Sequence, residues 1–369
     1  MRPVEAPLSF IGSGASLVVL EDFMGIPIFY DRPFLTYEEQ IEHLRTKHNL
    51  LISDEQFAKD ILSNISYYDL VNGYKDSLMN NDKFKPGTSI EFLYLFYLFD
   101  KNFQNIIFKN SLIVENSFKN KLAYMLADKI SEHQDYYLSS KYYVPAVNKY
   151  IVFHKVKDEI FTNIRYYDNQ SNTYIYNKQP TKHYFENHNH IPPWILMKNI
   201  SFGNAINLYR LLNKHLKENF TDSIITSNIN VNDKISFYTS ALNLIREFRN
   251  VIAHNLKFVT FQQNRFRLPH KTTIKILNNS TLTDNVNMFN NLYACILAIY
   301  LLLDLPILRY NFLTDIYKLM SENPLKSTPG KLITAHMCNE YFKITDLAQN
   351  LEFIDKMNIL FQESKNIKL

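Results

Sequence analysis

Glycine is scarce in this chain, with seven in 369 residues. Glycine serves tight turns, bulges and loops that cradle phosphate. Its scarcity argues against Rossmann, P-loop and Greek-key architectures, and no Gly-rich nucleotide fingerprint occurs. Only two cysteines are present, Cys295 and Cys338, both in apolar surroundings. They read as buried free thiols of a reducing compartment, not as a disulfide or a metal site. Tryptophan appears once. Long hydrophobic runs are missing too. The longest, Ala294 to Leu303, ends at Asp304 and falls short of the ~18 residues of a membrane span. Glu21 and Asp22 follow a weak apolar run without a small-residue cleavage site, so no signal peptide is read. A cytoplasmic protein with no membrane contact is expected.

What is present is apolar and aromatic. Hydrophobic residues make up 46% of the chain and charged residues 21%, which predicts a sizeable packed core. The net charge of +4 permits RNA binding without demanding it. Residues 1–33 stand apart: they hold three glycines and four prolines but no Asn or Lys, and read as an extension, an arm or a small strand-like element. From Thr36 the pattern becomes helical. Thr36 and Glu39 fit a capping box, and Ser53 or Asp54 starts a second helix. Pro86-Gly87 breaks the chain, and Thr88 or Ser89 caps the next helix. Residues 90 to 130 have apolar positions at helical spacing, enough for one or two long helices. A helix around 149 to 165, a surface loop from 166 to 193, and a helix from Trp194 through Leu216 come next. Residues 233 to 254 form a strong amphipathic stripe. The period then changes. Phe258 to Phe261, Phe266 to Leu268 and Thr272 to Ile276 alternate or are β-branched, which predicts a small hairpin. Apolar helices return over 285 to 305 and 309 to 322, and short helices are expected after Pro329.

The chemistry concentrates in Ala241 to Leu256, ALNLIREFRNVIAHNL. Arg249 stands five residues before His254, and Asn250 follows the arginine. A guanidinium holds phosphate with a permanent charge, and an imidazole moves protons near neutral pH. The spacing alone is cheap. Ten arginines and eleven histidines give roughly 0.3 chance matches at one spacing. The chain has three: Arg210 to His215, Arg249 to His254 and Arg265 to His270. Arg210 and His215 read as surface charges on a scaffold helix. Pro269 places Arg265 and His270 in a strand or turn. Arg249 and His254 end a long helix, but five residues rotate by about 140°, so one ideal helix does not put them on one face. Convergence needs the long arginine arm, a helix end near Ala253, or a partner subunit. Arg246 lies on nearly the same face as Arg249 and Asn250. Two other patterns read as solvated surface. One is His183, His188 and His190 with Glu186, whose spacing fits no structural zinc site. The other is the set Lys109, Lys119, Lys121 and Lys129.

The segment REFRNVIAHN resembles the R-N-x-x-x-H signature of HEPN ribonucleases, and the wider chain resembles the Abi-like (abortive infection) branch of that superfamily. Four further blocks carry the likeness in order: LTYEEQIEHL (35–44), ISYYDLVNGY (65–74), LFYLFDKNFQNIIFKNSLIVENSFKNKLAY (95–124) and PPWILMKNISFGNAINLYRLL (192–212). The resemblance implies an all-α, HEPN-like helical bundle, into which the hairpin read from the change of period would be inserted after the active-site helix. The expected division is an extension (1–33) and a helical tail (323–369), neither covered by the resemblance, around an N-terminal helical region (34–192) and HEPN-like catalytic helices (193–322). The implied activity is endoribonuclease cleavage by 2′-OH attack in phage defence, with no metal and no cofactor. Arg249, Asn250 and His254 would be catalytic and Arg246 supporting. The segment after His254 diverges from the family, and Arg265, Arg267 and Lys257 are RNA-binding candidates by their own basic chemistry. HEPN enzymes usually form dimers in which two motifs line one cleft, and a structured non-coding RNA or antitoxin would restrain the toxin. The competing reading is a catalytically silent HEPN-fold module that binds RNA or acts as an antitoxin.

Overall fold

The structure, a computed structural model, describes residues 34–255, 261, 263–277 and 290–321, together with residues 20–21 and 27–28. The tail after Pro329, and Lys257, Phe258, Val259 and Thr260 from the expected hairpin, lie outside the described residues. The fold is all-α, with only small antiparallel strand pairs among the described residues. The chain divides into two compact units, residues 1–94 and 95–369.

In the first unit, β1 (Leu20–Glu21) pairs with β2 (Pro27–Ile28). Helix α1 (Tyr37–Thr46) opens with the expected capping box: Thr36 accepts from the Glu39 amide, and Glu39 accepts from the Thr36 amide. Asp54 caps α2 (Glu55–Asn64), which packs on α1. A π-helical turn (Tyr68–Asn72) ends at Gly73, where an added Cβ would lie 2.2 Å from the Asp69 carbonyl oxygen. That close approach requires glycine. Helix α3 (Lys75–Leu78) leads into the hairpin of β3 (Met79–Asn80) and β4 (Lys83–Phe84). Its two turn residues, Asn81 and Asp82, both have positive φ, as a twisted two-residue turn demands. Ser89 then caps α4 (Ile90–Lys129), a single helix of 40 residues that from Leu95 onward belongs to the second unit.

In the second unit, α5 (Gln134–Tyr137) precedes β5 (Ala146–Asn148), β6 (Ile151–Val152) and α6 (Phe153–Thr162). The surface loop expected over 166 to 193 is instead a hairpin, β7 (Arg165–Asp168) with β8 (Thr173–Tyr176), followed by α7 (Thr181–His188). Asp168 stabilises the hairpin turn by accepting from the Ser171 amide at 3.0 Å, and Asn172 takes the positive φ. The histidines expected in a solvated loop lie on and just after α7. Among the described residues, no His, Cys, Asp or Glu group is arranged to hold a metal ion.

The long helix expected from Trp194 is three helices: α8 (Pro193–Asn199), α9 (Phe202–Leu211) and α10 (Lys214–Ile224). Ser201 and Asn213 each accept from the backbone amide three residues on, so each restarts the chain as a new helix. Helix α11 (Val231–Ala253) follows, then α12 (His270–Leu277), α13 (Leu292–Leu302) and α14 (Pro306–Ser321). Helix α12 corrects the hairpin reading over Thr272 to Ile276. Pro269 does not block this helix but immediately precedes it; its carbonyl accepts from the Thr273 amide at 2.9 Å. A proline lacks only a donor that the first turn would leave unpaired anyway.

Helix α13 is apolar all round and nearly all buried, so the run that is too short for a membrane is the centre of a core. No helix among the described residues is long and apolar enough to cross a membrane. Helix α11 packs on α9, α10, α12 and α13. Aromatic rings complete this core: Phe118 of α4 lies 6.1 Å from Phe202, Tyr209 and Tyr238, and 6.3 Å from Phe220. The Tyr209 hydroxyl is matched by Thr221 at 2.8 Å. Cys295 is buried, and burial pushes its thiol well above the ordinary range. Phe118→Ala should lower unfolding stability by about 3–5 kcal/mol in urea titration. A loss under about 1 kcal/mol would show that the aromatic cluster does not hold the unit together.

Candidate active site

The apolar side of α11 fixes what its last turns present. Leu244, Ile245 and Phe248 are buried, so Arg246, Arg249 and Asn250 fall at the margin, half-buried. The helix stops at Ala253. His254 is its cap and Asn255 turns left-handed, with φ of 52°. Asn tolerates that conformation better than most residues. Lys101 of α4 secures the turn, donating to Asn255 Oδ1 at 2.5 Å. The His254 ring is exposed and makes no hydrogen bond to a described residue.

Arg249 Nη1 donates to Asn250 Oδ1 at 2.9 Å, so the first two residues of the motif meet. Arg249 Nη2 donates to Glu115 of α4, also at 2.9 Å. Glu115 in turn accepts from Lys119 Nζ at 2.6 Å, and Lys119 donates to the Ile200 carbonyl at 2.7 Å. Glu115 is only 8% exposed, and buried carboxylates need such partners. Lys119 is therefore part of a buried chain, not of a solvated face. Lys109 and Lys121 pair with Asp315 and Asp304. Arg249 Nε is buried without a hydrogen-bond partner, and so is Arg246 Nε.

The structure thus joins Arg249 to Asn250 but turns Arg249 toward α4, and no hydrogen bond links it to His254. The helix end at Ala253 meets one of the three conditions for convergence; the arginine arm is spent elsewhere. Arg246 pairs with its neighbour Glu247. Arg265 and Arg267 are exposed on the segment before α12, and Lys257 lies outside the described residues. Glu115 escaped sequence reading. The one local hint is that Glu115 stands four residues before Lys119 on α4; nothing local ties it to Arg249.

The family model described as Abi-like protein matches residues 60–260, more than half the chain. The chain belongs to the Abi-like protein family. The match spans α4, α9 and α11, and with them Glu115, Arg249, Asn250 and His254. Membership of the Abi-like family suggests a role in abortive infection, a form of phage defence. No curated protein and no solved structure is significantly similar to this Abi-like protein.

The Glu115–Arg249 bond is testable in this Abi-like protein without reference to activity. Glu115→Ala and Arg249→Ala should each destabilise the fold, with a double variant less destabilised than their sum by about 1–3 kcal/mol. Chemical denaturation of the four proteins measures the coupling. Additivity within about 0.3 kcal/mol would sink the claim that the two charges depend on each other.

Proposed function

We propose that this Abi-like protein is a HEPN-type endoribonuclease of a phage-defence system, cutting RNA through its own 2′-OH without a metal. One observation carries the reading. Arg249, hydrogen-bonded to Asn250, and the exposed His254 end one helix inside the family-matched region. In this mechanism His254 removes the proton from the ribose 2′-OH or protonates the leaving 5′-oxygen. Arg249 holds the scissile phosphate and stabilises the charge that develops there. Asn250 orients Arg249. The products are a 2′,3′-cyclic phosphate and a 5′-hydroxyl, and DNA, which lacks the nucleophile, is not cut.

The Glu115 bond bears on this mechanism. A phosphate that reaches Arg249 must compete with a carboxylate already seated on it. A second copy of the chain would bring another Arg249 and His254 to the same cleft, as a two-fold interface allows. Light scattering of the purified protein should then give twice the chain mass; a monomer at working concentration would remove the composite site. The same Glu115 bond favours one second reading, an RNA-binding module that no longer cuts, because it leaves Arg249 neutralised.

Wild type and His254→Ala on total RNA decide between them. Loss of ~10²–10⁴-fold in cleavage rate in the variant, with cyclic phosphate ends on the wild-type fragments, is expected. Equal cleavage by both proteins refutes the catalytic role of His254. Binding without cleavage by wild type leaves the silent module.

A further inference from the structure

Arg210 lies outside the motif, yet it does not sit on a bland surface. Gly203 and Arg210 are seven residues apart on α9, which places them within about 20° on one face. Arg246 of α11 crosses that face: an added Cβ at Gly203 would lie 3.4 Å from Arg246 Nη1 and 3.8 Å from its Cδ. The Arg246 guanidinium is 5.9 Å from the centre of the Phe266 ring, and that of Arg265 is 5.6 Å from it. Lys217 of α10 donates to the Arg210 carbonyl at 2.6 Å. Burial, then the facing charges of Arg246 and Arg265, hold Arg210 below the usual arginine range. Burial and Arg210 do the same to Lys217.

Three cations, Arg210 of α9, Arg246 of α11 and Arg265 before α12, therefore converge, and Lys217 of α10 lies beside Arg210. Among the described residues, Glu247 is the one carboxylate bonded to any of them. Like charges brought this close and partly out of water oppose folding. A bound phosphate reverses the sign of that interaction, and guanidinia match its oxygens in pairs. The buried, unpartnered Nε of Arg246 supplies a further donor. Phe266 is half-buried, which leaves it ring surface on which a base can stack.

We propose that Arg210, Arg246 and Arg265, beside the Phe266 ring, form a phosphate subsite that seats the RNA strand next to the phosphate held by Arg249. Arg246 stands three residues before Arg249 on α11, a rise of about 4.5 Å, with its side chain over α9 and that of Arg249 toward α4, so one strand running past the end of α11 would meet the two in turn. The choice of RNA as the ligand rests on the ribonuclease reading; the anion site itself does not.

The test uses the full chain carrying His254→Ala, a short fluorescein-labelled single-stranded RNA, and anisotropy over a range of salt. Arg265→Ala and Arg210→Ala, each added to that protein, should raise Kd about tenfold and reduce the salt slope by about one. Lys214→Ala removes one exposed charge from α10 and should change Kd less than about twofold. Arg265 is exposed, so its variant reports even if Arg210→Ala folds poorly. Unchanged binding in Arg265→Ala overturns the subsite, as does an equal loss in Lys214→Ala or an absence of RNA binding by the His254→Ala parent. Displacement of the RNA by equimolar AMP also overturns it, in favour of a mononucleotide site. Wild-type cleavage with unaltered Arg265→Ala binding removes the subsite and keeps the ribonuclease. Selective loss of binding in a protein whose wild type does not cut keeps the subsite and removes the ribonuclease.

Discussion

Burial of α11 is the constraint on which the second unit depends. Its apolar stripe packs on four other helices, and α13 fills the space behind it with side chains buried on almost every side. An interior so close-packed does not let a helix rotate about its axis. Phe248 is locked inward, so Arg246 and Arg249 must leave in different directions: one over α9, the other toward α4. The polar residues have little say in where they point. The core decides, and electrostatics then works with the placement it is given.

The two arginines, three residues apart, meet opposite surroundings. Arg249 finds a buried carboxylate that is itself held by Lys119, and its charge is balanced within the fold. Arg246 finds Glu247 but also Arg210, Arg265 and, beyond them, Lys217. Balanced charge contributes to a stable resting structure; surplus charge stores an affinity for anions. A strand that binds first at the surplus and then displaces Glu115 from Arg249 would need little more than its own backbone charge to engage the motif.

Local signals are legible in the sequence and distant ones are not. Thr36 and Glu39 announce α1 because a capping box is a four-residue event, and Ser89 and the stripe ending at Ala253 are local in the same sense. Residues 166–176 read as a loop because their tyrosines and asparagines lack an apolar period, yet Asp168 and Asn172 supply the turn. Thr272 to Ile276 read as a strand because β-branched residues favour one, and packing against α11 overrides that preference. For the candidate site, spacing narrows the choice to three Arg–His pairs, and the helix end, Asn250 and the resemblance single out Arg249, Asn250 and His254. Glu115 cannot, since it stands 134 residues from Arg249 and meets it only through tertiary packing. Arg210 escapes for the same reason: its neighbours come from other helices.

The scarcity of glycine has a counterpart in the backbone. Among the described residues, Asn49, Asn81, Asp82, Asn172, Asn189 and Asn255 take the left-handed conformation that glycine adopts most easily. Asparagine reaches it at some steric cost, but its unfolded backbone roams over fewer conformations than that of glycine. Each such turn therefore gives up less disorder when the chain folds. The chain's tight corners, the one after His254 among them, are partly set before folding begins.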